Sequence, residues 1–107
     1  MVKEISAREF EKEVLESKEP VIADFWAEWC GPCRMLGPVF EKVSHEYKDK
    51  VKFVKINVDE SNDLAQKYDV MSIPCVIFFK NGKEVDRFVG AVGEQTVKTK
   101  IKKAFGV

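Results

Sequence analysis

Cys30 and Cys33, two residues apart, are the side chains of this sequence best suited to chemistry. They lie in the run FWAEWCGPCRMLGPVF, Phe25 to Phe40, behind Trp29 and enclosing Gly31 and Pro32. Such a pair can be half of a metal clip, a structural disulfide or a redox couple. A structural zinc site takes about four ligands, usually two cysteine pairs or one pair with histidines. This chain has one CxxC and one histidine, His45, twelve residues beyond Cys33. On a helix that is roughly 18 Å away, too far to share an ion, so His45 reads as a surface residue. A bridge across so short a loop removes little chain entropy, which makes a purely structural disulfide a poor reading. Redox work fits best.

The elements around the pair decide whether it can be used. PVIADFWA (Pro20–Ala27) is short, apolar and β-rich, as a buried central strand should be. From Pro32 onward Met35, Leu36, Val39, Phe40, Val43 and Tyr47 keep a helical period, with Pro38 inside, where it should kink the helix. Upstream, Ser6 and Glu9 form a capping-box pattern for a first helix over about 7–17. Downstream come a strand at 51–59 and a short helix capped by Ser61. CVIFF and EVDRFV flank Asn81-Gly82, a tight antiparallel hairpin signal. A closing helix from Glu94 repeats Val97, Ile101 and Phe105. This order predicts an α/β fold, a mixed sheet covered by helices on both faces, with the strands at 20–27 and 51–58 parallel. The CGPC then sits at the carboxyl edge of the sheet, where α/β proteins build sites.

That location has electrical consequences. Proline favours the first position of a helix, which puts Gly31 near the cap and Cys30 just outside it. Unpaired amides and the positive end of the helix dipole then face the Cys30 sulfur and favour its thiolate. Cys33, inside the first turn and less exposed, suits the resolving role.

Composition bounds the rest. A chain of 107 residues with eight phenylalanines fits one domain over 1–107 with a real core. Eighteen basic residues balance eighteen acidic ones, which argues against a nucleic-acid or anionic-lipid binder. The opening MVKEISAREF has no apolar h-region and no apolar run approaches a membrane span, so a soluble, cytoplasmic protein is expected. Three cysteines, an odd number, argue against a fully paired secreted framework.

FWAEWCGPCRM, followed by SIPCV, KNG and FVGA, resembles the thioredoxin family essentially from end to end. The resemblance implies the thioredoxin fold, with a central mixed sheet of about five strands. It implies a thiol–disulfide oxidoreductase and electron carrier that reduces protein disulfides through Cys30 and Cys33 by way of a mixed disulfide. No bound cofactor is implied beyond the redox-active Cys30–Cys33 disulfide. The implied partners are disulfide-containing proteins and an NADPH-dependent flavoprotein reductase that recharges a monomer.

Several further positions carry over. Asp24 interrupts an apolar strand, where a buried carboxylate is costly unless protonated or paired. The resemblance makes it a raised-pKa acid/base near Cys33, accompanied by Lys55 on the neighbouring strand. It also implies a cis Pro74 facing the cysteines, with the Ile73 backbone pairing to an extended substrate. Trp29, Gly31, Pro32, Gly90 and Ala91 match the family's flat apolar docking surface.

Cys75 departs from the pattern, since thioredoxins usually carry threonine after this Ile-Pro. As a small buried hydrophobe with no cation nearby, it should keep a high pKa and react slowly. The alternative is a third thiol that forms a side disulfide or helps the pair bind a soft metal. A metal-binding or interaction module on the same fold therefore stands beside the redox reading at this stage.

Overall fold

The computed structural model describes residues 1–107. A short strand β1 (Val2–Glu4) leads into helix α1 (Ala7–Phe10), which continues as a π-helical turn over Glu11–Leu15. Strand β2 (Val21–Trp26), helix α2 (Gly31–Glu46), strand β3 (Lys52–Asn57) and helix α3 (Asn62–Lys67) follow. Strands β4 (Cys75–Lys80) and β5 (Lys83–Val89) form a hairpin, and helix α4 (Glu94–Phe105) closes the chain. The five strands make one sheet in the order β1-β3-β2-β4-β5. β1 and β2 both run parallel to β3, while β2–β4 and β4–β5 are antiparallel. The expected mixed sheet is present.

Alternation along the strands divides the core between the two faces of the sheet. Val21, Ala23, Phe25, Val54, Ile56, Cys75, Ile77 and Phe79 face one way, against Phe10 and Val14 of the first helix and Leu64 and Ala65 of α3. Ile22, Phe53, Val76, Phe78 and Phe88 face the other, against Leu36, Phe40 and Val43 of α2 and Val97, Ile101 and Phe105 of α4. At about 25 cal/mol per Å² of apolar surface removed from water, the second layer supplies the main term holding α2 over the sheet. Glu94 also bridges Lys42 of α2 (2.8 Å) and Lys98 of α4 (2.9 Å). These surface pairs add little to stability.

Three local expectations need correction. β1 has no counterpart in the sequence reading, because its three residues become a strand only by pairing with Phe53–Lys55. The first helix keeps the capping box, with the Ser6 amide donating to Glu9 Oε1 at 3.0 Å, but stops at Leu15 after its π-helical turn. Ser61 starts α3 without capping it; its Oγ instead accepts the Ala7 amide at 3.2 Å, tying α3 to the first helix.

The hairpin turn follows its sequence signal. Asn81 and Gly82 both have positive φ, +54° and +77°. A Cβ at Gly82 would also meet the Leu15 carbonyl oxygen at 2.8 Å. Gly82→Ala is therefore expected to destabilise the fold by roughly 2 kcal/mol, from the left-handed backbone and the clash together, read as a shifted urea midpoint at unchanged slope. An unshifted midpoint would contradict that account of the turn.

Candidate functional site

β2 ends at Trp26, and after four residues the chain enters α2 at Gly31. The Cys30 amide donates to the Ala27 carbonyl at 3.2 Å, and Arg34 Nη1 donates to the Glu28 carbonyl at 2.9 Å, which fixes this turn. Cys30 is the N-cap of α2, with extended backbone, and Gly31 and Pro32 are its first two residues. Both lie one place further into the helix than the sequence reading put them. The Cys30 and Cys33 sulfurs are bonded, with Cα atoms 5.2 Å apart. The Cys33 amide donates to Cys30 Sγ at 3.2 Å. A helix N-terminal amide aimed at this sulfur stabilises negative charge on it, as the sequence argument requires.

Exposure does not separate the two cysteines. Cys30 is 4% exposed and Cys33 3%, where the sequence reading had Cys30 the open one. The bridge draws both sulfurs into a small apolar cluster with Ala27, flanked by Trp26, Val58 and Ile73. What distinguishes Cys30 is its cap position and the amide it receives.

Asp24 lies on β2, only 3% exposed, and its Oδ1 has no hydrogen-bond partner. Burial pushes its pKa up from the ordinary 3.8 to about 7, with the Lys55 charge pulling the other way. Lys55 is its register partner on β3. The ammonium forms no ion pair with the carboxylate; it stands over the Trp26 ring, 4.5 Å from its centroid. The two groups are neighbours, coupled through space.

Beside the pair, sharing Val58 and Ile73 with its apolar cluster, runs an open groove of about 420 Å³, lined on its apolar side by Trp29, Val58, Ala65, Val70, Met71 and Ile73. Trp29 is 68% exposed, and its indole N–H is held by Asp59 Oδ2 at 2.9 Å. The Ile73 carbonyl lies 3.7 Å from Cys30 Sγ. No hydrogen bond within the chain engages the Ile73 amide, which leaves it open to an added extended segment. Ile73–Pro74 is cis, and the Gly90 amide donates to the Pro74 carbonyl at 2.8 Å, so Gly90, with Ala91 next to it, adjoins Pro74. Every site residue expected from the sequence thus falls in the Cys30–Cys33 turn, in the strands beneath it or in the loops beside it. Sequence reasoning missed Asp59 and the groove residues Val58, Ala65, Val70 and Met71. The available signal was the apolar pair Val70-Met71 between the polar Asp69 and Ser72; Met71 is exposed, while Val70 is half-buried against the core.

Cys75 belongs elsewhere. It is buried in the core layer facing α1 and α3, outside the cluster that holds Cys30 and Cys33. Burial raises its pKa, as expected. A cation is nearby after all, with Arg87 Nη1 3.8 Å from Sγ, but desolvation outweighs it. No three Cys, His, Asp or Glu side chains converge on a point where they could hold a metal ion. Cys75→Thr is expected to leave disulfide reduction within about twofold of the native rate, since a threonine hydroxyl can also accept from Arg87. Alkylation of the reduced protein should label Cys30 first; early labelling of Cys75, or loss of activity in Cys75→Thr, would bring this residue into the chemistry.

Comparison with known proteins bears on what this arrangement does. The Thioredoxin family model matches residues 1–103. The thioredoxin of Griffithsia pacifica is 48% identical over 94 residues, which cover 88% of this chain and 86% of that protein. Thioredoxin 1 of Synechococcus elongatus is 51% identical over 88 residues, 82% of each chain. The thioredoxin of Rickettsia bellii is 49% identical over 90 residues, 84% of this chain and 86% of its own length.

Proposed function

Because the chain belongs to the thioredoxin family, we propose that its thiol–disulfide oxidoreductase activity on protein disulfides runs through Cys30 as nucleophile and Cys33 as resolving thiol. The observation that carries this assignment is Cys30 Sγ at the N-cap of α2, receiving the Cys33 amide at 3.2 Å beside an apolar groove. In the reduced protein the Cys30 thiolate attacks one sulfur of a substrate disulfide. The substrate's S–S bond breaks, one substrate thiolate leaves, and a mixed disulfide forms. The Cys33 thiol then gives its proton to the Asp24 carboxylate and attacks Cys30 Sγ, releasing the second substrate thiolate. The substrate gains two electrons and the protein becomes the Cys30–Cys33 disulfide.

Asp24 suits the proton transfer because a group titrating near 7 is both acid and base at neutral pH. Lys55 tunes it electrostatically. Trp29, Gly31, Pro32, Gly90 and Ala91 receive the substrate surface, and the Ile73 backbone next to Pro74 pairs with the substrate strand. Residues 1–107 work as one unit, a cytoplasmic monomer with no bound cofactor. An NADPH-dependent flavoprotein reductase returns the two electrons. The test is coupled turnover, with insulin as acceptor and a bacterial-type thioredoxin reductase as donor. NADPH oxidation that requires this chain supports the reading, and oxidation that proceeds equally without it refutes the partner assignment.

A further inference from the structure

Arg87 is tied down to a degree uncommon for a side chain on an edge strand. Each of its five N–H donors has an acceptor. Nε donates to Glu84 Oε2 at 2.6 Å, and Nη2 donates to Glu84 Oε1 at 2.8 Å and to the Tyr68 carbonyl at 2.9 Å. Nη1 makes two longer contacts, to the Asp69 carbonyl at 3.5 Å and to Cys75 Sγ at 3.8 Å. The Glu84 pairing is the bidentate fork that only arginine provides.

The two carbonyls identify its job. Tyr68 is the C-cap of α3, and Asp69 follows in the left-handed region at φ +55°. The last carbonyls of a helix lack intrahelical partners and carry the negative end of its dipole, so a cation there is favourable. α3 has only six residues, too few to hold itself by its own hydrogen bonds. Its seat comes from Leu64 and Ala65 in the core, from the Tyr68 ring against Phe10 and Phe79, and from this guanidinium reaching over from β5. Seven of the nine residues around the groove belong to α3 or to the segment Val70–Ile73 that follows Asp69.

We propose that Arg87 is a positioning residue for protein substrates, clamping the end of α3 so that Met71 and the Ile73 backbone are held where a docked chain meets them. The proposal rests on Cys30–Cys33 being the reacting pair. Arg87 has no contact with that pair, whose geometry is fixed by the β2–α2 turn. Loosening the clamp should therefore weaken capture of an extended protein segment without slowing attack on a disulfide too small to use the groove.

The experiment is single-turnover oxidation of the pre-reduced protein, followed by Trp fluorescence. Excess insulin is one substrate and a small aromatic disulfide the other. Arg87→Met is expected to raise the half-saturating insulin concentration about tenfold, with the limiting rate and the small-disulfide rate within about twofold of wild type. Glu84→Gln, which frees the guanidinium without removing it, should move half-saturation the same way by about threefold. Half-saturation unchanged in Arg87→Met overturns the proposal, as does a parallel fall in the small-disulfide rate. Should Arg87→Met not fold, Glu84→Gln decides, and a half-saturation equal to wild type overturns it. Wild-type protein that reduces neither substrate refutes the redox reading beneath the proposal, a result distinct from variants that match an active wild type.

Discussion

Replacing Cys30 with serine is expected to bring insulin reduction down to the uncatalysed rate, while Cys33→Ser leaves the first attack intact and stalls the second. The asymmetry follows from the site. Only Cys30 stands at the helix cap with an amide on its sulfur, the position that favours the attacking role proposed for it. Removing Cys33 takes away the group that breaks the mixed disulfide, and the covalent complex then persists. Steady-state turnover of Cys33→Ser should fall by at least roughly a hundredfold, with a Cys30-linked insulin adduct accumulating. An adduct that forms through Cys33 when Cys30 is absent would reverse the roles.

Asp24→Asn is expected to stabilise the protein in alkaline solution while slowing disulfide exchange. Burial raises the Asp24 pKa in the folded state from 3.8 to about 7, so the native state holds a proton that the unfolded state has released over that range. Its contribution to stability is fully present below about pH 4 and is lost as pH rises through about 7. The span corresponds to something on the order of 4 kcal/mol, at 1.36 kcal/mol per pH unit. An asparagine carries no charge to bury. The variant should gain a few kcal/mol over the native protein at pH 8 and little at pH 4, as read by urea unfolding at both values. The unpartnered Oδ1 supports the same view, since no hydrogen bond offsets the buried charge. Release of the mixed disulfide should slow by about tenfold near neutral pH, because the Cys33 thiol would lose the proton acceptor proposed for it. A variant that is less stable at pH 8 and fully active would contradict both halves.

How much of this was legible in the sequence depended on how local each cause is. The Asn81-Gly82 turn, the α4 stripe and the strand–CGPC–helix order are set by neighbours in the chain, and they appear where their signals stand. β1 is three residues whose strand character comes from pairing with β3, fifty residues away, and no local pattern announces it. The burial of Asp24 was readable because it interrupts an otherwise apolar run expected to form a central strand. The relative burial of Cys30 and Cys33 was not readable. Helix position gave the order, but the closed bridge and the cluster around it level the exposure. Arg87 in EVDRFV reads as an ordinary edge-strand charge; its partners Tyr68 and Asp69 come from another element, brought near only by the fold. The groove was hidden for the same reason, since Trp29 and Met71 lie far apart in the chain and close in space.

The central claim is that Cys30 and Cys33 form one two-electron couple that reduces protein disulfides. The most direct measurement is a half-reaction: fully reduced protein is mixed with excess insulin, quenched with alkylating agent, and both products are read by peptide mass spectrometry. The expected result is one insulin disulfide reduced per molecule of protein, a Cys30–Cys33 bridge in every oxidised chain, and Cys75 still a thiol. A dominant Cys30–Cys75 bridge, or insulin left intact while the protein stays reduced, would contradict the account.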